Sequence, residues 1–270
     1  MNRVYDDGII QLYHGDARQL DMVESEAVQL VLTSPPFNAG MEYELDLWKT
    51  LGAYFQFLQD AFIEAIRVLR PGGWCIVELS DMHISPEHPH AQPGQKEQDN
   101  MGTSAMLTTF LKMHGMFFKG EAIWNRGRWT NKNAKRLECA PGSPAILVQH
   151  SKVLFFRKPG GRKGAYQYPQ LDTDAKTLWC RSVWDHIQPV SHSHHPAVMP
   201  PKMAEGIIQC WSVPSDEPIL DPFCGIGTIP FAAKKLGRRG IGVDIKKDYL
   251  DRASLECGQN MLFYYNEVIA

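Results

Sequence analysis

A chain of 270 residues with 44% hydrophobic and 21% charged content has room for one large α/β domain, or one domain with an insertion. This composition excludes long disordered or collagen-like tracts. No apolar run approaches the ~18–20 residues of a membrane span, and the amino terminus lacks an apolar signal core, which points to a soluble, cytoplasmic protein with no membrane partner. Six isolated cysteines form no CxxC pair, so reduced thiols are expected in place of disulfides or a zinc ribbon. The net charge of −2 conceals an asymmetry: twelve Lys/Arg stand against two Asp/Glu between Lys112 and Lys163, while the rest of the chain carries sixteen against twenty-eight. Such a block reads either as a polyanion-binding face or as a solvated basic surface.

Ile9–Tyr13 and Val28–Leu32 are short apolar runs of strand length, ending at Gly15-Asp16 and Ser34-Pro35-Pro36. From Trp48 to Leu69, apolar residues at 48, 51, 54, 55, 58, 62, 66 and 69 follow the spacing of an amphipathic helix. Pro71-Gly72-Gly73 is expected to stop it, with Trp74–Leu79 as the next strand. The stretch 81–103 shows no period and reads as a long loop, mobile or ordered only with a partner. Strand-like pieces follow at Phe117–Trp124 and Lys152–Arg157, with a polar segment from Asn125 to Ser143 between them and a loop-rich linker from Pro159 to Thr177. The alternation then resumes: a helix from Pro201 to Val213, a strand Pro218–Leu220, a helix Thr228–Leu236 and a strand Gly240–Val243. Strands alternating with helices predict a mostly parallel sheet.

Asp221-Pro222-Phe223-Cys224-Gly225-Ile226-Gly227-Thr228 ends a strand and opens a helix, where glycines let the backbone turn tightly beside a ligand. Asp244, nineteen residues after Gly225, is placed to accept from both hydroxyls of a ribose. A carboxylate at 221 would repel a pyrophosphate but suits a cationic amino-acid tail, so S-adenosylmethionine fits this loop. Far away in the chain, Thr33-Ser34-Pro35-Pro36-Phe37 follows a strand. Two prolines remove two donors and leave carbonyls as acceptors, Ser34 adds a hydroxyl, and Phe37 offers a stacking face. The set suits a planar ring with an exocyclic amine, which would donate to the Pro35 carbonyl and the Ser34 oxygen while its nitrogen attacks a sulfonium methyl.

Leu32-Thr-Ser-Pro-Pro-Phe resembles the catalytic signature of amino-methylating DNA methyltransferases, and Asp221-Pro-Phe-Cys-Gly-Ile-Gly-Thr resembles their cofactor loop. The order, catalytic motif first and cofactor loop last, resembles the circularly permuted β class over about residues 9–251. The resemblance implies a Rossmann-like, seven-stranded, mostly parallel α/β methyltransferase sheet. Residues 1–111 would form the catalytic half, 112–176 an inserted basic target-recognition region with its strands, and 177–270 the cofactor half. It further implies that Ser34, Pro35, Pro36 and Phe37 hold the target amine. Asp16, Ala17, Thr33, His195, Asp221, Pro222, Phe223, Gly225, Gly227, Thr228 and Asp244 would line the cofactor, which leaves as S-adenosylhomocysteine. Double-stranded DNA is the implied partner, met by Arg126, Arg128, Trp129, Lys132, Lys135 and Arg136. A homodimer and a cognate restriction endonuclease stay open. Serine at 34 tilts the target toward cytosine N4 over adenine N6. Cytosine C5 is disfavoured because no Pro-Cys dipeptide offers the thiolate that chemistry needs. Two alternatives remain: an RNA or protein-amide methyltransferase, and an inactive DNA-binding regulator. The run His192, His194, His195 lacks a Cys or carboxylate partner at ligand spacing, so no metal is expected.

Overall fold

The computed structural model describes residues 1–38, 48–84, 88, 90–91, 94, 99–126, 148–161, 173–190 and 198–258. Eleven strands fall among them: β1 Asn2–Asp6, β2 Ile10–His14, β3 Val28–Thr33, β4 Leu69–Leu79, β5 His83–Ile84, β6 Asp99–Asn100, β7 Phe117–Asn125, β8 His150–Arg157, β9 Val183–Trp184, β10 Ile219–Asp221 and β11 Gly240–Asp244. The helices are α1 Leu51–Val68, α2 Thr103–Met113, α3 Thr173–Trp179, α4 Pro201–Trp211, α5 Thr228–Lys235 and α6 Lys247–Gly258. Nine strands make one sheet in the order β1-β2-β11-β10-β3-β4-β8-β7-β9, and β5 pairs with β6 separately. From β2 to β4 every neighbour is parallel, whereas β8 runs antiparallel to both β4 and β7. The resemblance implied seven strands, and the sheet has nine among the described residues. The antiparallel β1 and the two-residue β9 extend the two edges.

Side chains alternate across the central strands. Val31, Cys75 and Val77 face Phe62, Ala65 and Val68 of α1 and Leu107 and Leu111 of α2. Leu30, Leu32 and Ile76 face Met203, Ile207 and Ile208 of α4 and Ile229 and Ala233 of α5. A parallel sheet covered on both faces buries nearly every strand residue, which is why these strands read as continuous apolar runs.

Two expectations need correction. The helix ends at Val68, and Leu69 already opens β4, so Pro71-Gly72-Gly73 lies inside the strand. The residue before a proline avoids helical geometry, and Arg70 therefore has to be extended. The extra residues are taken up as a bulge, with Val28 opposite Leu69 but Leu30 opposite Trp74, and Gly72 adopts φ +75° within it. The stretch 81–103, read as an aperiodic loop, contains the β5–β6 pair and leads into α2, whose Asp81 anchor accepts from the Ser104 amide at 2.8 Å and hydroxyl at 2.6 Å. β1, α2 and α6 were not anticipated, and α3 begins inside the expected linker.

Candidate active site

In the sheet order, the chain leaves β3 through α1 toward β4 on one side, and leaves β10 through α5 toward β11 on the other. Strand order therefore reverses between β3 and β10. Open α/β sheets bind ligands in the crevice beyond the carboxyl ends of the strands at such a point. Thr33 ends β3 and Asp221 ends β10; the buried Thr33 hydroxyl donates to Asp221 Oδ1 at 2.6 Å, joining the two distant motifs across the crevice.

On the β10 side, Asp221 Oδ1 also accepts from the Phe223 amide at 3.1 Å. Burial pushes this carboxyl up to about 7, against those two hydrogen bonds, and the Asp244 charge adds to the rise. Asp244 Oδ2 accepts from the Gly225 amide at 2.7 Å and Oδ1 from Lys246 at 2.8 Å. Burial raises its pKa as well, against these bonds and the charges of His14 and Lys246. Two amides fill only half of a carboxylate's roughly four acceptor sites, leaving room for a vicinal diol. Gly227 caps α5 at φ +86°, and a Cβ there would lie 2.9 Å from the Phe231 ring. The Thr228 hydroxyl beside it is buried with no hydrogen-bond partner among the described residues. A pocket with an acidic floor, spare carboxylate acceptors and an orphaned hydroxyl fits a cationic nucleoside cofactor.

β2 closes the same edge, because the Gly15 amide donates to the Asp244 carbonyl at 3.0 Å. Asp16 follows, with the buried Ala17 next to it. Burial works to raise the Asp16 pKa, but Arg18, 2.6 Å away, holds it below the ordinary carboxylate value. The Arg18 guanidinium in turn lies 5.3 Å from the centre of the Phe57 ring, which packs 5.9 Å from Phe223.

On the β3 side, the Ser34 hydroxyl donates to Glu78 Oε2 at 2.6 Å. Glu78 is buried near the end of β4; burial raises its pKa, while hydrogen bonding with Ser151 and Ser34 and the Arg126 charge oppose the rise. Pro35 is buried, and Phe37 is half-buried against the α1–α2 core. The Tyr54 hydroxyl donates to the Pro36 carbonyl at 2.9 Å. Tyr54 and Phe57 are three residues apart on one face of α1. A single helix thus holds the proline turn through one side chain and the glycine loop through another. Tyr54→Phe deletes this donor and strands the carbonyl; the expected loss of about 1 kcal/mol in unfolding free energy is read from the urea midpoint.

Residues 28–255 match the N6/N4 methyltransferase family described as DNA methylase. The chain belongs to this family. The methylase is 29% identical to the Type II methyltransferase M.ScaI of Streptomyces caespitosus, over 96% of this chain and 85% of the relative. It is 27% identical to M.HpaI of Haemophilus parainfluenzae, over 87% and 70%. Among solved structures, a DNA modification methylase of Thermus thermophilus, complexed with S-adenosyl-L-methionine, superposes with a TM-score of 0.72 at 24% identity, covering 93% of this chain and 94% of that one. The cytosine-N4-specific PvuII DNA methyltransferase does so at 0.64 and 18%, covering 99% and 95%.

The basic block of the methylase divides on inspection. Arg157 and Lys158 sit at the opening end of β4, where Lys158 donates to the Ile66 and Leu69 carbonyls and Arg157 to that of Gly72. Lys152 is paired with Asp81 at 2.9 Å. These cations hold the scaffold, two of them on the edge away from the crevice. Arg126 stands at the crevice edge, its guanidinium 3.4 Å from the Ser80 hydroxyl and its charge acting on Glu78. Arg128, Trp129, Lys132, Lys135 and Arg136 lie outside the described residues, as does His195. Three residues of the site were not foreseen. Glu78 carries a readable signal, a lone carboxylate in the apolar run Trp74–Leu79. Tyr54 and Phe57 carry none beyond helix periodicity, because which part of a buried face meets a loop is a tertiary fact.

Proposed function

We propose that the methylase transfers a methyl group from S-adenosylmethionine to the exocyclic amine of a base rotated out of double-stranded DNA, with cytosine N4 as the target. The observation that carries this reading is the Thr33–Asp221 hydrogen bond, which brings the amine-accepting turn and the cationic-ligand pocket to one crevice. Bound there, the cofactor would supply an electrophilic sulfonium methyl. Asp244 would hold the ribose, Asp16 and Ala17 the adenine end, and Asp221 with the loop from Pro222 to Thr228 the remainder.

The Ser34 proton is committed to Glu78, so the hydroxyl oxygen turns its lone pairs outward to accept from the amine, beside the Pro35 carbonyl. When the nitrogen becomes tetrahedral and acidic, Glu78 would take a proton through Ser34. The choice of N4 over N6 rests on serine at position 34, in place of the acidic or amide side chain that the adenine signature more often carries. Phe37 would stack on the flipped base, and unpairing it costs a few kcal/mol, recovered through contacts of the basic segment with phosphates. That segment, 112–176, would supply target recognition, with Arg126 at its crevice end.

The test is incubation with labelled cofactor and, separately, duplex DNA, RNA and protein, followed by nucleoside mass spectrometry. N4-methylcytosine in DNA is the expected product. N6-methyladenine would overturn the base assignment, and label only in RNA or protein would overturn the acceptor.

A further inference from the structure

Asn38 follows Phe37 directly. It is buried and left-handed at φ +58°, a region that asparagine tolerates better than most residues. Its amide is held on three sides. Trp48 Nε1 donates to Oδ1 at 2.8 Å, while Nδ2 donates to His90 Nδ1 at 2.9 Å and to Met101 Sδ at 3.4 Å. An indole N–H can only donate, which fixes the amide orientation and with it the His90 tautomer. Nδ1 of His90 accepts, so Nε2 carries the proton and donates it to the Trp48 carbonyl at 3.2 Å. His88 is fixed by the same logic: its Nδ1 accepts from the His90 backbone N–H at 3.1 Å, and its Nε2 donates to the Asn38 carbonyl at 3.2 Å. Both imidazoles are therefore neutral here, and between them they grip the side chain and the carbonyl of the residue that closes the Ser34–Phe37 turn.

We propose that Asn38, Trp48, His88 and His90 form a latch that keeps the Ser34–Phe37 turn in its working conformation while His90 is neutral, and that proton uptake by His90 opens it. The inference rests on the reading of that turn as the amine site. Protonating His90 sets an N–H against the Asn38 amide hydrogens and turns a donor–acceptor pair into two opposed donors. Burial holds the His90 pKa below the ordinary imidazole value, the His88 charge acts in the same direction, and the Trp48 carbonyl opposes both. Among the described residues, the groups packed around the pair are Asn38 from the turn, Trp48 ahead of α1, Tyr54 of α1 with its phenol committed to Pro36, and the apolar Ile84 and Met101. His88 is, among the described residues, the titratable group that bears on His90. In this arrangement Trp48, Asn38, His88 and His90 are positioning residues that act through the turn.

The Trp48 indole reports on the latch without any reaction. In the full chain labelled with 15N-tryptophan, with the resonance assigned through Trp48→Phe, lowering the pH from about 8 to 5.5 is expected to shift the Trp48 signal with a midpoint below about 6.5. His90→Gln is neutral throughout and can both donate and accept. It is expected to abolish that titration, to lower kcat several-fold at pH 8 with cofactor affinity unchanged, and to remove the matching part of the acid fall in DNA methylation. A Trp48 signal that stays still in the unsubstituted protein, a measurement that needs no variant, overturns the latch. So does one that titrates identically in His90→Gln. A titrating indole in a protein that transfers no methyl to DNA supports the latch and counts against the amine-acceptor reading alone.

Discussion

Replacing Ser34 with alanine is expected to lower the methyl-transfer rate by about 10²–10⁴-fold, the usual range for loss of a positioned proton-transfer group. The hydroxyl has two tasks in the proposed reaction, accepting from the amine and passing its proton to Glu78, and its 2.6 Å bond to that carboxylate aligns both. Glu78→Gln keeps an acceptor for the serine but removes the base, so it should approach the Ser34→Ala loss without exceeding it. Neither residue is placed against the cofactor pocket. Single-turnover rates should therefore fall while the cofactor Kd, by calorimetry, stays within error. Equal losses in both quantities would count against the division of labour. Because burial raises the Glu78 pKa, its protonated and inactive form accumulates as the pH falls, giving turnover an acid limb that Glu78→Gln should lack.

The second large effect is expected at Asp244. Alanine there removes the acceptor of the Gly225 amide together with the proposed ribose contacts. Hydrogen bonds to a charged group are worth about 1.5–3 kcal/mol, or roughly 10–150-fold in cofactor Kd. Asp244→Asn retains an acceptor for the amide and should lose less; an unchanged Kd in the alanine variant would remove the ribose role. Asp221 adds a pH dependence of defined sign. Its folded-state pKa of about 7 lies above the ordinary 3.8, so the protonated form favours the apoprotein fold, a contribution full below about 3.8 and lost as the pH rises through 7. A cationic ligand beside Asp221 favours the ionised form and drives its proton off. Cofactor affinity should thus rise with pH through about 7, and Asp221→Asn should flatten that slope.

The two motifs were legible because each packs strong local constraints into a few residues. Paired prolines, closely spaced glycines and a carboxylate at a fixed offset leave the backbone little choice, and β3, β10 and β11 were foreseen to within a residue or so. The helix from Trp48 was legible from its period, and it ends within one residue of the expected Leu69, but the strand that follows at once was not. The glycines after Pro71 look like a stop, yet β4 absorbs them as a bulge because Val28 and Leu30 pair on either side. α2 was hidden because its apolar residues at 106, 107, 110 and 111 begin directly after a polar stretch and run into the basic block. Glu78, Tyr54, Phe57 and the Asn38 network escaped for a common reason. Each matters through a partner between 10 and more than 160 residues away in the chain, and periodicity carries no information about such meetings. The charge count of the basic block carried no positions, since it cannot see that β7 and β8 carry their cations to opposite ends of the sheet.

The β7–β8 pairing bears on how specificity would diverge under the proposed reading. β7 and β8 pair down to Asn125 opposite His150, at the crevice edge of the sheet. Whatever chain joins residues 126 and 148 must therefore leave and return beside Glu78. Its length and composition can change without altering one rung of the ladder below. If that excursion reads the target, as proposed, a scaffold of this design would exchange the sequence it reads by substituting it, while the chemistry beneath is inherited intact.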